Sequence, residues 1–450
     1  MSAAIESAAL ESDTAASPVL ADLAQRAPRP TSLEACGVPV QLLADLILKF
    51  ISRLGPLSAA HLCDRLALTG SVLDSVCQYL RRDGYLDLQA RADAELALAL
   101  TTRGREAAVD AFKRSGYIGP APVPVEAYRR LVQVQSVHKH RCTREHMATA
   151  FFGVVIEEQI RDRLGTALNS GRAIFVHGAA GAGKTYIATQ LIGALPGEVL
   201  IPHSILVNDT VIRVYDPAVH ERLELREGNP RLLHERGYDA RYVLCERPLV
   251  VTGGELEAAM LDVQFDHAAQ EFIAPIQVKA NNGLLLIDDL GRQRFAVQVL
   301  FDRWVVPMEQ QIDYLSAGAG LHFPVPFDVV LVFSTNLDPS TITDDAVLRR
   351  LGYKIEFKAL PIDLYKRVWV QACQDLQLNC DARLVDYVIK ELYGPSGRAL
   401  LACHPRDLLR MARDKSLYDD RPGRVGAEDL HWAWINYFLN AADDAAASGT

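Results

Sequence analysis

The sequence predicts an α/β protein: a mostly parallel sheet with a helical domain before it and a helical lid after it. Three observations carry this. The strand-sized apolar run 173–176 leads directly into a glycine-rich turn, and a helical stripe follows. A second apolar run, 284–287, ends in Asp288 and Asp289. From about Leu360 onward the apolar residues recur at helical spacing only. A strand buried on both faces of a parallel sheet reads as a continuous apolar run, whereas a half-buried strand alternates.

Composition bounds the answer. The 450 residues are 49% hydrophobic and 23% charged, which allows a large core and excludes a mainly disordered chain. The formal net charge of −9 excludes a protein that coats nucleic acid through bulk charge. The first thirty residues carry Glu6, Glu11 and Asp13 and no apolar run, so no secretory signal is expected. No run approaches the ~18 apolar residues of a membrane span. None of the eight cysteines form a CxxC pair, which fits free thiols and a cytoplasmic location.

Residues 1–38, rich in Ala, Ser, Glu and Pro, are expected to form a disordered tail. From Pro39 the pattern becomes helical through Leu42, Leu43, Leu46, Ile47, Phe50 and Ile51. Gly55 and Pro56 stop that helix, and Ser58 caps a second one. Thr69-Gly70-Ser71 opens a third. Asp83-Gly84 turns into a strand, a second strand follows over 95–101, and a closing helix starts near Arg103. This order over 39–116 resembles a winged-helix domain, with a small helical adaptor as the plainer reading. Residues 117–128 begin with YIGPAPVP, read as an extended Pro-rich linker without a packed face.

The glycine-rich turn has the spacing Gly178-x4-Gly183-Lys184-Thr185 between a strand and a helix, the context that identifies a P-loop. Backbone N–H groups of Gly178, Ala179, Ala180, Gly181, Ala182 and Gly183 can turn inward around a phosphate, and the helix entered through Lys184, Thr185 and Tyr186 adds its partial positive charge. These nine residues are the candidate ATP-binding set. Lys184 would span the β- and γ-phosphates, and the Thr185 hydroxyl would coordinate Mg²⁺. Asp288 would hold the same Mg²⁺ through water, and Asp289 would polarise an attacking water.

With these motifs in place, the chain resembles the AAA+ ATPases over roughly 130–440. Further marks follow in order. FDVVLVFSTN ends in Asn336, similar to the family's sensor 1. TDDAVLRRLGYKIEF resembles the arginine-finger segment, with Arg349 and Arg350 as candidates. CHPRDLLRMA resembles sensor 2, with Arg406 opening a helix. The resemblance implies an α/β nucleotide-binding core over 129–359, a helical lid over 360–441 and a short tail over 442–450. It also implies ATP hydrolysis and a homo-oligomeric ring, most often a hexamer. One departure stands out: Asp289 occupies the place where the family usually carries Glu.

The stretch from Tyr314 to Phe323, with a Gly-Ala-Gly tip, is similar to the hairpin before sensor 1 in the MoxR-like and sigma-54-activator branches; a plain loop is the alternative. Between Lys184 and Asp288 the chain is longer than usual. SILVNDTVIRV reads as a hairpin turning at Asn208-Asp209. Phe265, Phe272 and Ile273 read either as core or as residues that engage a client. His138, His140 and His146, clustered with Cys142, match no paired zinc spacing, and the histidines read as surface residues. The four tryptophans, at 304, 369, 432 and 434, read as core.

Two function classes remain. In one, the ATPase remodels a protein client held by the N-terminal domain or an adaptor. In the other, that domain reads DNA. Residues 40–116 hold ten Lys and Arg against nine Asp and Glu, a thin basic surface for DNA, which favours the protein client.

Overall fold

The computed structural model describes residues 18–90, 96–224, 237–318, 320–342, 349, 351–379, 381–421 and 423–438. Its centre is a five-stranded parallel sheet of β1 (Ile174–Gly178), β2 (Leu249–Thr252), β3 (Gly283–Ile287), β4 (Val329–Thr335) and β5 (Tyr353–Phe357). The spatial order is β5-β1-β4-β3-β2. Successive side chains point to opposite faces. Ile174, Val176, Leu284, Leu286 and Val332 pack with Ile187 and Ala188 of the helix Lys184–Gln190. Phe175, Leu285, Ile287, Leu331 and Phe333 pack on Leu300, Phe301 and Trp304 of the helix Val297–Gln310. Both faces are therefore covered, which is why β3 and β4 are apolar without alternation. The lid carries the helices Ile362–Asp375, Ala382–Tyr387, His404–Tyr418 and Ala427–Tyr437 around Tyr365, Trp369, Leu408 and Trp434. The chain thus has the α/β P-loop NTPase fold expected from its sequence. Among the described residues, no helix is long and apolar enough to cross a membrane.

At the N-terminal end the helices Val40–Leu54, Ala59–Leu66 and Gly70–Arg82 precede an antiparallel ribbon, Leu86–Ala90 with Leu96–Leu100, and a closing helix, Thr102–Arg114. Ser58 and Thr101 cap the second and the closing helix through their hydroxyls.

Two expectations fail here. Residues 18–38 are not a disordered tail: they form the helices Pro18–Arg26 and Leu33–Cys36, and Leu23 and Cys36 are fully buried. Residues 1–17 lie outside the described residues. Nor does the Pro-rich segment lack a packed face. Tyr117, Ala121 and Val123 are buried, and Val123–Pro124 pairs in parallel with Ser204–Val207. That strand lies at the edge of its sheet, where proline's missing N–H costs nothing. The helix Val125–Val134 follows at once.

The long interval after Lys184 folds onto this segment. Ser204–Val207 and Thr210–Arg213 form the expected hairpin, with Asn208 in the left-handed region at φ 52°. Val199–Pro202 pairs with Tyr242–Cys245. The stretch before β4 is a hairpin too, Ile312–Ala317 with Leu321–Pro326; its tip residue Ala319 lies outside the described residues. One face of this hairpin, Leu315, Phe323 and Val325, is buried in the same core as Ile205, Val243 and Leu244. Phe265 and Phe272 meet at a tilt across another short hairpin, with Phe272 packed against that core and Phe265 exposed. Trp304, Trp369 and Trp434 are buried as expected, whereas Trp432 is exposed on the lid surface. His140 and His146 are exposed, while His138 is partly buried and Cys142 is buried.

A buried ion pair fastens these parts. Arg241 Nη2 donates to Asp239 Oδ2 at 2.8 Å, and its Nη1 donates to the carbonyls of Cys36 at 3.0 Å and Pro122 at 3.1 Å. Both side chains are almost wholly buried. Removing one member leaves an uncompensated buried charge, which costs about 3–5 kcal/mol. Arg241→Ala should therefore lower the urea midpoint markedly, while the paired change Asp239→Leu with Arg241→Met should recover much of the loss. An unchanged midpoint in Arg241→Ala would show that the clamp does not hold these segments.

Candidate functional site

The carboxyl ends of β1, β3 and β4 open on one edge of the sheet, where parallel α/β sheets bind their ligands. β1 runs into the loop at Gly178, whose φ is 137°. A Cβ there would run into the carbonyl oxygen of Phe357 on β5. At Gly181, φ 80°, a Cβ would collide with Cys403 Sγ of the lid. Only glycine fits either place. Gly183 then starts the helix Lys184–Gln190.

Lys184 is 6% exposed. Its ammonium donates to the carbonyls of Gly178 at 3.0 Å and Ala179 at 2.9 Å, and to Asn336 Oδ1 at 2.6 Å. Burial pulls its pKa down, while the nearby carboxylates of Asp288 and Asp289 act in the opposite direction. Asn336, the first residue past β4, donates through Nδ2 to Asp289 Oδ1 at 3.0 Å. Thr185 Oγ1 donates to Asp288 Oδ2 at 2.8 Å. The pairings tie the loop, the end of β3 and the end of β4 into one network.

Asp289 sits at φ 46°, a left-handed backbone that Asp tolerates better than most residues. The turn is held by Gln293, whose Nε2 donates to the carbonyls of Gly253 at 3.3 Å, Asp288 at 3.2 Å and Asp289 at 3.3 Å. Nothing in the sequence pattern singled out Gln293. Asp289 Oδ2 has no hydrogen-bond partner among the described residues.

A cavity of about 510 Å³ opens over this network, between sheet edge and lid. Gly181, Ala182, Gly183, Thr185 and Tyr186 line it together with Ala180, Lys184, Asp288, Asp289 and Asn336. Its far end is apolar, built from Val155, Ile156, Ile160, Leu360 and Val368. The sequence reading missed that end, because residues 155–160 and 360–368 meet only in three dimensions. Arg406 also lines the cavity and forms a 3.5 Å ion pair with Asp375. Arg349 is exposed and is not among the lining residues. Arg350 lies outside the described residues.

The donor set fits a nucleotide with magnesium. The hydroxyl of Thr185 and the carboxylate of Asp288 present hard oxygen ligands side by side, as Mg²⁺ prefers. The polar loop and apolar far end match a phosphate chain joined to a flat base, and the volume suits a ligand of that size.

A domain family described as a domain of unknown function (DUF8689) matches residues 361–436, the lid helices. No curated protein matches the chain. Among solved structures, the RuvB Holliday junction branch migration motor of Thermotoga maritima is 13% identical, with 62% of this chain and 68% of that one covered at a TM-score of 0.37. A structure of a point mutant of that motor is 16% identical, covering 62% of this chain and 69% of that chain at 0.37. NtrX from Brucella abortus is 14% identical, covering 74% of this chain and 67% of that chain at 0.38. All three are distant likenesses.

Proposed function

We propose that the protein is an AAA+ ATPase that couples ATP binding and hydrolysis to the remodelling of a protein client in the cytoplasm. The observation that carries the ATPase reading is the network joining Lys184, Asn336 and Asp289 beside the Thr185–Asp288 pair. Bound magnesium would supply charge neutralisation at the phosphates, held by Thr185 and Asp288. Lys184 would exchange the loop carbonyls for β- and γ-phosphate oxygens. Asn336 holds one oxygen of Asp289, and the other is left to accept the proton of an attacking water. Arg406, at the start of its lid helix, would reach the phosphates once released from Asp375. Arg350, with Arg349 beside it, would act as an arginine finger toward a neighbouring subunit in a homo-oligomeric ring, a hexamer in this reading.

Residues 39–116 fit a winged-helix module that holds the client or an adaptor. Two features favour protein over DNA. The start of the helix Gly70–Arg82 is covered by its own chain: Thr69 Oγ1 donates to Pro30 O at 2.9 Å, and Ser71 Oγ donates to Thr31 O at 2.8 Å. The two strands of the ribbon beside it expose Leu88 and Leu96 and hold no Lys or Arg, while Arg91 between them lies outside the described residues. DNA affinity rests on phosphate neutralisation, for which this surface offers little. A DNA-acting regulator or DNA-transaction helper is the second reading, supported by the element order of the domain.

Lys184→Ala should abolish ATP binding, since among the described residues no other ammonium is bonded to the loop; unchanged affinity in a titration would defeat the P-loop reading. Asp289→Asn should bind ATP but hydrolyse it on the order of 10²-fold or more slowly, because an amide is a poor proton acceptor. Asp289→Glu should keep measurable turnover. The ATP-trapped Asp289→Asn form should retain a protein from cell extract, whereas retained nucleic acid would favour the DNA reading.

The shared-site reading has its own test. Arg350→Ala should bind ATP normally and lose about 10³-fold or more in rate, as for a finger supplied in trans. Mixed with Lys184→Ala it should regain activity, because some interfaces then pair an intact loop with an intact finger. No recovery in a confirmed mixed assembly would return Arg350 to an ordinary surface residue.

A further inference from the structure

Sharing no lining residue with the Lys184 cleft, a second cavity of about 330 Å³ lies where three stretches of chain meet. The N-terminal helices contribute Phe50, Arg65 and Leu68, the Pro-rich segment contributes Gly119 and Pro120, and the stretch after the P-loop helix contributes His203, Arg222 and Val243. The Arg241 clamp stands at its edge through Asp239, which also lines the cavity.

Its charges do not cancel. Both oxygens of Asp239 accept from Arg241, so that carboxylate is already satisfied. Arg29 and Asp64, also in the lining, have partners of their own. Arg65 and Arg222 form no ion pair among the described residues, and both line this cavity from its solvent-exposed rim. The ring nitrogens of His203 have no hydrogen-bond partner among the described residues, and the ring meets Tyr215 edge-on at 5.4 Å. Burial, with Arg222 nearby, pulls the His203 pKa down to about 4, so at neutral pH the ring is uncharged. It then offers one donor and one acceptor.

Two guanidiniums without ion-pair partners at the rim of one partly apolar cavity can converge on an anion, and their planar forks suit phosphate oxygens. A bare phosphate would leave most of this volume empty. The floor of Phe50, Leu68 and Val243 suits a flat apolar body beside the anion. We propose that this cavity, between Arg65, Arg222 and His203, is a second ligand site that takes an organic phosphate of nucleoside-monophosphate size. The ligand would touch all three stretches of chain, so its binding would tighten the N-terminal helices against the ATPase body.

The test is calorimetric titration of the full-length protein, saturated with ADP and Mg²⁺, with each of the four ribonucleoside 5′-monophosphates and with inorganic phosphate. At least one monophosphate should bind at one site per chain, about tenfold or more tighter than inorganic phosphate. Arg65→Gln and Arg222→Gln should each weaken that binding by about tenfold. Both residues are exposed, so folding is not at risk. Lys184→Ala, titrated without ADP because its P-loop no longer holds nucleotide, should leave it unchanged, which separates this site from the P-loop whatever the outcome there. The proposal is overturned by an absence of binding up to about 5 mM, by equal affinity for inorganic phosphate, by loss of binding in Lys184→Ala, or by indifference to both arginine variants.

Discussion

The ammonium of Lys184 is the group on which the rest of the site depends. A buried cation with no partners would cost several kcal/mol, and here three oxygens receive it: two loop carbonyls and Asn336. Holding those carbonyls fixes the curvature of the loop. Holding Asn336 brings the end of β4 to the end of β1. Asn336 in turn holds Asp289 at the end of β3. A single charge thus links three neighbouring strand ends whose spacing the sheet ladder sets, and the site inherits its geometry from the sheet order.

The same order explains how distant parts reach the cleft. β2 lies at the sheet edge, and the long excursion between the P-loop helix and β2 has room to build its own core there. That core absorbs the hairpin before β4 and the helix Val125–Val134, and it receives Val123–Pro124 as an edge strand. The Asp239–Arg241 pair then binds the carbonyls of Cys36 and Pro122. The N-terminal helices are therefore packed against the ATPase body and do not hang from a free linker. On the other side the lid touches the loop directly, since Cys403 N–H donates to the Gly181 carbonyl at 3.0 Å.

What was legible in the sequence was what is encoded locally. The P-loop is one contiguous stretch whose glycines, lysine and threonine serve a single turn. Asp288, Asp289 and Asn336 each follow a long apolar run, so strand ends alone placed them at the edge. Ser58 announced a helix start by the hydrogen bond it makes nearby. What was not legible depends on partners distant in sequence. Prolines at 120, 122 and 124 read as a free linker because nothing local reveals the strand 204–207 beside them. Residues 18–38 show little periodicity, yet Leu23 and Cys36 find cores built elsewhere. Gln293 and the apolar end of the cavity, Val155 and Ile156, became visible only once the chain was folded. Asp375 opposite Arg406 is of the same kind.

The most direct measurement is a crystal structure with Mg²⁺ and a non-hydrolysable ATP analogue. The account predicts the phosphate chain at the Gly178–Thr185 loop. Lys184 Nζ should have left the carbonyls of Gly178 and Ala179 for phosphate oxygens, and the metal should lie by Thr185 and Asp288. An analogue bound elsewhere, or Lys184 still bonded to both loop carbonyls with the analogue in the cleft, would contradict it.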